Sequence, residues 1–179
     1  HRTRWDAWGG LVPEKRRREY AATGRVTGKN EMMPEEIKGG IKMPASLPGP
    51  FETLSLEMPS EHVLLLTLDR PERGNALNTQ MGFDLRDLFT ALYHDQQGIR
   101  CIVITGRGEK IFCAGGDLKE RNNMTDEAWQ TQHALFEQAV RAMMDCPIPM
   151  IGAVNGAAFA GGLEIALCCD FVYCAPNAR

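Results

Sequence analysis

Residues 149–170 read PMIGAVNGAAFAGGLEIALCCD, a stretch that spells a strand and a short helix joined through a glycine-rich turn. Pro149 to Val154 is an apolar run with the length of a buried strand. Asn155-Gly156 punctuates it as a turn, and Gly161 to Cys168 then has the character of a short helix. Phe171 to Cys174 follows as another strand. Strand, helix and strand in succession predict a βαβ-type layered α/β protein whose sheet is covered by helices.

The same alternation recurs toward the N terminus. His62 to Leu68 (HVLLLTL), bounded by Asp69-Arg70-Pro71, reads as a buried strand. Asn78 and Thr79 offer an N-cap, after which Met81, Leu85, Leu88, Phe89 and Leu92 share one face of a helix running to about Gln97. Gly98 is its expected stop, and Cys101 to Thr105 (CIVIT) is the next strand. Gly106 to Asp117 reads as a glycine-rich loop. A longer helix starts at the cap Thr125 with Asp126 and Glu127 in its first turn, carries Trp129, Phe136, Val140 and Met143 as its apolar stripe, and ends at Pro147.

Residues 1–50 differ in texture. They are rich in Arg, Lys, Glu, Gly and Pro, contain the run Lys15-Arg16-Arg17-Arg18, and lack a sustained apolar period. They are expected to be a poorly ordered or non-native tail, with Met43 as the candidate native start. A chain of 179 residues, 44% hydrophobic and 24% charged, suffices for one globular domain beside such a tail. The net charge of -3 provides no general attraction for nucleic acid or anionic membranes. The apolar runs are strand-sized or interrupted, and nothing reads as a secretion signal, so the expected location is the cytoplasm, with no membrane and no nucleic-acid partner. Six cysteines, at 101, 113, 146, 168, 169 and 174, form no CxxC pair and have no histidines at zinc spacing. Reduced, mostly buried thiols are expected, and no metal site.

Two glycine-rich stretches that follow strands, residues 112–118 and 155–164, sit where layered α/β proteins bind ligands. Paired glycines allow a close backbone approach and can aim N–H groups outward. Gly161 opens a helix, where the first N–H groups lack intrahelical partners, so donors from the two loops could together hold an oxyanion. Glu164, three residues on, can share that surface as a base. Its other reading is a first-turn carboxylate that answers the helix dipole, and the glycines also read as tight turns between packed elements. No GxxxxGK[ST], complete dinucleotide fingerprint or GxSxG occurs. His62, His94 and His133 have no Cys or Ser motif beside them and read as surface or structural residues.

Three segments in order, Leu68-Asp69-Arg70-Pro71 with Asn75-Ala76-Leu77-Asn78, then FCAGGDLKE at 112–120, then NGAAFAGGLEIALCCD at 155–170, resemble the signature segments of the crotonase (enoyl-CoA hydratase/isomerase) superfamily. The resemblance implies a crotonase-like spiral of ββα units, incomplete at the C terminus, with residues 51–179 forming the N-terminal part of an acyl-CoA-binding domain. It implies Gly116 and Gly161 as the two oxyanion-hole donors and Glu164 as the first catalytic glutamate. Ala76, Ala114, Gly116, Asp117, Leu118 and Lys119 become contacts for the coenzyme A part of the substrate. The implied activity is that of an enoyl-CoA hydratase, a lyase with no permanently bound cofactor, acting on an acyl-CoA thioester and assembling as a homotrimer or dimer of trimers. The second hydratase glutamate would lie beyond Arg179. Another crotonase reaction (isomerase, dehalogenase, decarboxylase or hydrolase) and a catalytically silent fragment are the alternatives.

Overall fold

A computed structural model describes residues 43, 44 and 47–179. Most of the expected tail, residues 1–42, 45 and 46, lies outside the described residues, as does the basic run from Lys15 to Arg18. Met43, Leu47 and Phe51 pack against the hydrophobic core.

The main sheet is built from β1 (Leu54–Ser60), β2 (Val63–Leu68), β3 (Cys101–Gly106), β5 (Met150–Val154) and β7 (Phe171–Cys174), side by side in that order. β1 and β2 form an antiparallel hairpin, and every later pairing is parallel. A second, small sheet pairs β4 (Ile111–Cys113) with β6 (Ala157–Ala158), again in parallel. The helices are α1 (Thr79–His94), α2 (Leu118–Arg121), α3 (Asp126–Asp145) and α4 (Gly161–Leu167). Two successive units therefore run large-sheet strand, small-sheet strand, helix: β3, β4 and α3, then β5, β6 and α4. This is the expected ββα spiral. Each parallel step needs a crossover that returns the chain to the same edge of the sheet, which the helices supply.

Apolar burial explains why these segments take these forms. Leu64 and Leu66 of β2 lie beside Ile102 and Ile104 of β3, and all four are fully buried. The five α1 residues expected on one face, Met81, Leu85, Leu88, Phe89 and Leu92, are at most 1% exposed. At about 1.5–3 kcal/mol each, that stripe contributes roughly 10 kcal/mol toward holding the helix on the sheet. Asn78 caps α1, its Oδ1 accepting from the Met81 N–H at 3.0 Å. The helix stops at His94, before the expected Gln97, because Asp95 is already extended at φ -149 and ψ 109; Gln97 and Gly98, both at positive φ, follow in the turn that leads to β3.

α3 departs from expectation. Of the predicted stripe only Met143 is fully buried, with Phe136 partly buried against the core; the buried face is Gln132, Leu135, Ala139 and Met143. That face meets α1 at Gly82, where an added Cβ would lie 3.0 Å from Leu135 Cδ2. Trp129, Phe136 and Val140 line a cavity instead. Both stripes satisfy helical spacing, so periodicity alone did not separate core face from cavity wall. β1, β4, α2 and β6 were not anticipated.

Candidate active site

Two asparagines, Asn75 fully buried and Asn155 half-buried, hold the loops. Asn75 Nδ2 donates to the Arg107 and Ile111 carbonyls, both at 3.0 Å, while Asn75 Oδ1 accepts from the Arg70 N–H. Asn155 Oδ1 accepts from the Gly106 N–H at 3.2 Å, and its Nδ2 donates to the Gly106 carbonyl at 2.8 Å. Amide side chains at these turns replace backbone partners that the strand ends lack.

With β4 and β6 paired, the two glycine-rich loops run against each other. The Phe159 N–H donates to the Cys113 carbonyl at 3.0 Å. Gly115 has φ +86, and a Cβ there would lie 2.8 Å from the Phe159 oxygen and 3.4 Å from the Gly161 nitrogen. A Cβ on Gly162 would come within 2.2 Å of the Cys113 oxygen. The contact requires glycine at both positions. Ala160, immediately before α4, holds φ 45 and ψ -120, a strained conformation for a residue with a Cβ. Neither the Gly116 nor the Gly161 N–H has a backbone acceptor among the described residues.

Gly116, Gly161 and Glu164 line one cavity of about 430 Å³, whose far wall is α3 with Trp129, Phe136 and Val140. That volume lies within the range of small-molecule sites. Glu164 Oε2 lies 3.9 Å from the place of a Cβ on Gly161, so the carboxylate stands beside that residue. The remaining sequence-predicted residues fall elsewhere. Ala76 is buried, with its carbonyl accepting from Arg70 Nη1. Ala114 is half-buried and its N–H donates to the Gly74 carbonyl at 2.9 Å. Leu118 is 76% exposed. Asp117 and Lys119 border a separate surface groove with Arg70 and Arg73.

Asp117 is the structural pivot between the cavity and that groove. Its Oδ1 accepts from the Lys119 and Glu120 N–H groups, capping α2, and its Oδ2 accepts from Arg70 Nη2 at 3.0 Å. Burial pushes its pKa up, but the Arg70 guanidinium and the two capping N–H groups outweigh burial and hold the carboxyl below its usual range. Burial also pushes the Cys113 thiol up to about 11, which keeps it neutral beneath the loop.

Residues 59–179 match the family model described as enoyl-CoA hydratase/isomerase. The chain belongs to that family, within the crotonase superfamily. It is 36% identical to the crotonyl-CoA hydratase of Syntrophomonas wolfei over 129 residues, 72% of this chain and 49% of that protein. It is 39% identical to the (E)-benzylidenesuccinyl-CoA hydratase of Thauera aromatica over 120 residues, 67% of this chain and 46% of that one. Among solved structures, the enoyl-CoA hydratase of Bacillus anthracis superposes with a TM-score of 0.68 at 33% identity, covering 71% of this chain and 49% of the other. The Mycobacterium smegmatis enoyl-CoA hydratase gives a TM-score of 0.65 at 33% identity, over 70% and 49%. The chain thus spans about half the length of these relatives. No helix among the described residues is long and apolar enough to cross a membrane.

In this enoyl-CoA hydratase/isomerase family member the cavity is also lined by Arg121 and Glu137, which did not stand out in the sequence, and by His133, which read as a surface or structural residue. Arg121 closes α2 and lines the cavity beside Gly116. Its signal was its place one helical turn after the cap Asp117, which carries it back toward the loop. His133 and Glu137 lie on the α3 wall 3.5 Å apart, with the His133 ring stacked on Trp129 at 5.3 Å.

Proposed function

We propose that the protein binds an acyl-CoA thioester and adds water across the 2,3 double bond of an enoyl-CoA. The observation that carries the reading is the placement of Gly116, Gly161 and Glu164 on one cavity, with both glycine N–H groups free of backbone acceptors among the described residues. As the water oxygen bonds to C3, the electron pair of the double bond moves to the thioester oxygen. Two N–H donors stabilise the resulting enolate oxygen, each worth about 2.7–4 kcal/mol in comparable sites. Glu164 orients the water and takes its proton; a proton returned to C2 restores the carbonyl. The names of the hydratase relatives support this reaction class.

The coenzyme A portion is placed across the loop that follows Ala114, reaching the groove where Arg70, Arg73 and Lys119 supply cationic donors for phosphate. Ala76, Ala114, Asp117, Leu118 and Lys119 are proposed as its contacts, and a trimer or dimer of trimers as the assembly. Loss of the conjugated thioester absorbance of crotonyl-CoA, followed with the intact protein and its Glu164→Gln variant, tests the assignment. Turnover in the parent that falls by orders of magnitude in Glu164→Gln is expected. Equal turnover in both removes Glu164 from the mechanism. Tight binding without turnover moves the protein to another reaction of the superfamily.

A further inference from the structure

We propose that Arg121 makes this cavity selective for acyl groups bearing a carboxylate, so that the preferred ligand is the half-thioester of a dicarboxylic acid; the inference rests on the acyl-CoA reading above.

The guanidinium lies directly over Gly116. Its Cζ, Nη1 and Nη2 stand 2.7, 2.8 and 3.0 Å from the position a Cβ on Gly116 would take. An acyl chain whose thioester carbonyl is held by the Gly116 N–H would share the cavity that Arg121 lines. The side chain is also built into position. Its Nε donates to Gln132 Oε1 at 3.1 Å, and Gln132 is 2% exposed, with its Nε2 donating to Thr79 Oγ1 at 2.8 Å and Glu120 Oε2 at 2.9 Å. The Phe136 ring lies under the guanidinium at 5.8 Å. Only Nε is used by these contacts, which leaves the two terminal nitrogens, on a side chain that lines the cavity, as a fork without an acceptor among the described residues.

That charge has no carboxylate partner within ion-pairing distance among the described residues. Glu120 Oε2 is occupied by the Thr79 N–H and Gln132, and Glu137 lies 3.5 Å from His133 and 3.6 Å from Arg141. Glu164, the other carboxylate on the cavity, stands on the Gly161 side. The cavity walls are largely apolar, with Leu77, Leu85, Val140 and Ile165 among them. An alkyl chain filling this space would strip water from an unpaired cation, which is unfavourable. A carboxylate would accept two parallel N–H···O bonds from the fork and offset that desolvation. Arg121 acting only as a tie between α2 and α3 would predict no such preference.

Valeryl-CoA and glutaryl-CoA have acyl chains of equal carbon number and differ at the end, a methyl against a carboxylate; neither has a double bond to hydrate. Their dissociation constants for the intact protein, measured by calorimetry, therefore test selectivity independently of the reaction. Glutaryl-CoA is expected to bind about tenfold or more tightly than valeryl-CoA. Arg121→Gln is expected to collapse the ratio to near one, and Arg121→Lys to retain part of it. A ratio near one in the parent, or one that survives in Arg121→Gln, overturns the inference while leaving the acyl-CoA reading intact. Failure of both thioesters to bind overturns the two together.

Discussion

Arg70 Nη2 donates to Asp117 Oδ2 at 3.0 Å, joining two groups only 15% and 9% exposed across 47 positions of sequence. One end of the pair follows β2, the other caps α2, and the loop bearing Gly116 lies immediately before the cap. Arg70 Nη1 also donates to the Ala76 carbonyl. The ion pair thus clamps the two segments between which the Gly116 N–H is presented.

Asp117→Ala is expected to destabilise the protein by about 2–4 kcal/mol. It removes a helix cap, worth roughly 1 kcal/mol, and leaves a largely buried guanidinium without its carboxylate. Urea denaturation followed by circular dichroism measures it. A change below about 0.5 kcal/mol, the range of ordinary surface substitutions, would show that the pair is incidental to folding.

Acid should erase the contribution of two carboxyls in a defined direction. Asp117 is held below its ordinary value near 3.8 for the reasons given above. Asp69 is lowered chiefly by its hydrogen bond from Arg107, against burial, which raises it. Because the folded-state values are depressed, the unfolded chain takes up protons first as pH falls. The stabilisation is therefore complete above the ordinary value and disappears as pH drops through the folded-state value. The stability difference between the parent and Asp117→Asn should stay flat from neutral pH down to about 5 and shrink below about 4. A difference that grows on acidification would contradict the depressed value.

The glycines of the second loop should separate folding from binding. Gly162→Ala drives a Cβ to 2.2 Å from the Cys113 carbonyl, backbone that cannot yield without parting the two loops, and a loss of about 3 kcal/mol or more is expected. Gly161→Ala meets the Leu77 Cδ1 methyl at 2.9 Å, which can turn aside. The smaller change, about 1 kcal/mol, should leave the fold standing while the new methyl intrudes on the cavity beside Glu164. Thermal melts and acyl-CoA binding on both variants check the contrast; equal destabilisation would place Gly161 in packing alone.

Which of these features were legible in sequence follows from their length and from what they face. The β2, β3, β5 and β7 runs, the α1 stripe and the caps Asn78 and Thr125 all declare themselves locally, because each is long enough to show a period or sits at a helix start. β4 and β6, with three and two residues, are too short for any period and exist only because they pair with each other. β1 does alternate Leu54, Leu56 and Met58, yet Pro59 and its position beside the tail obscured it. The glycine loops stood out by composition, and Glu164 as a candidate by its place three residues after Gly161. Arg121 and Gln132 did not, since a polar residue at helical spacing looks the same whether it meets water or another buried polar group.

Gln132 supplies the sharpest test of that last point. Its amide joins three elements at once: Nε2 donates to Thr79 at the start of α1 and to Glu120 in α2, while Oε1 on α3 accepts from Arg121. Leucine has nearly the same volume and suits the buried face between α1 and α3, so Gln132→Leu introduces little packing strain. Its cost should instead come from the polar atoms left behind, about 1–3 kcal/mol for each that stays buried and unpartnered, and a total of about 2–4 kcal/mol is expected. A double-mutant cycle with Arg121→Gln should show a coupling of about 0.5–3 kcal/mol, because the two side chains share a hydrogen bond. Additive effects would mean that Arg121 keeps its orientation without Gln132, and that the fork over Gly116 is held by Phe136 and the α2 backbone alone.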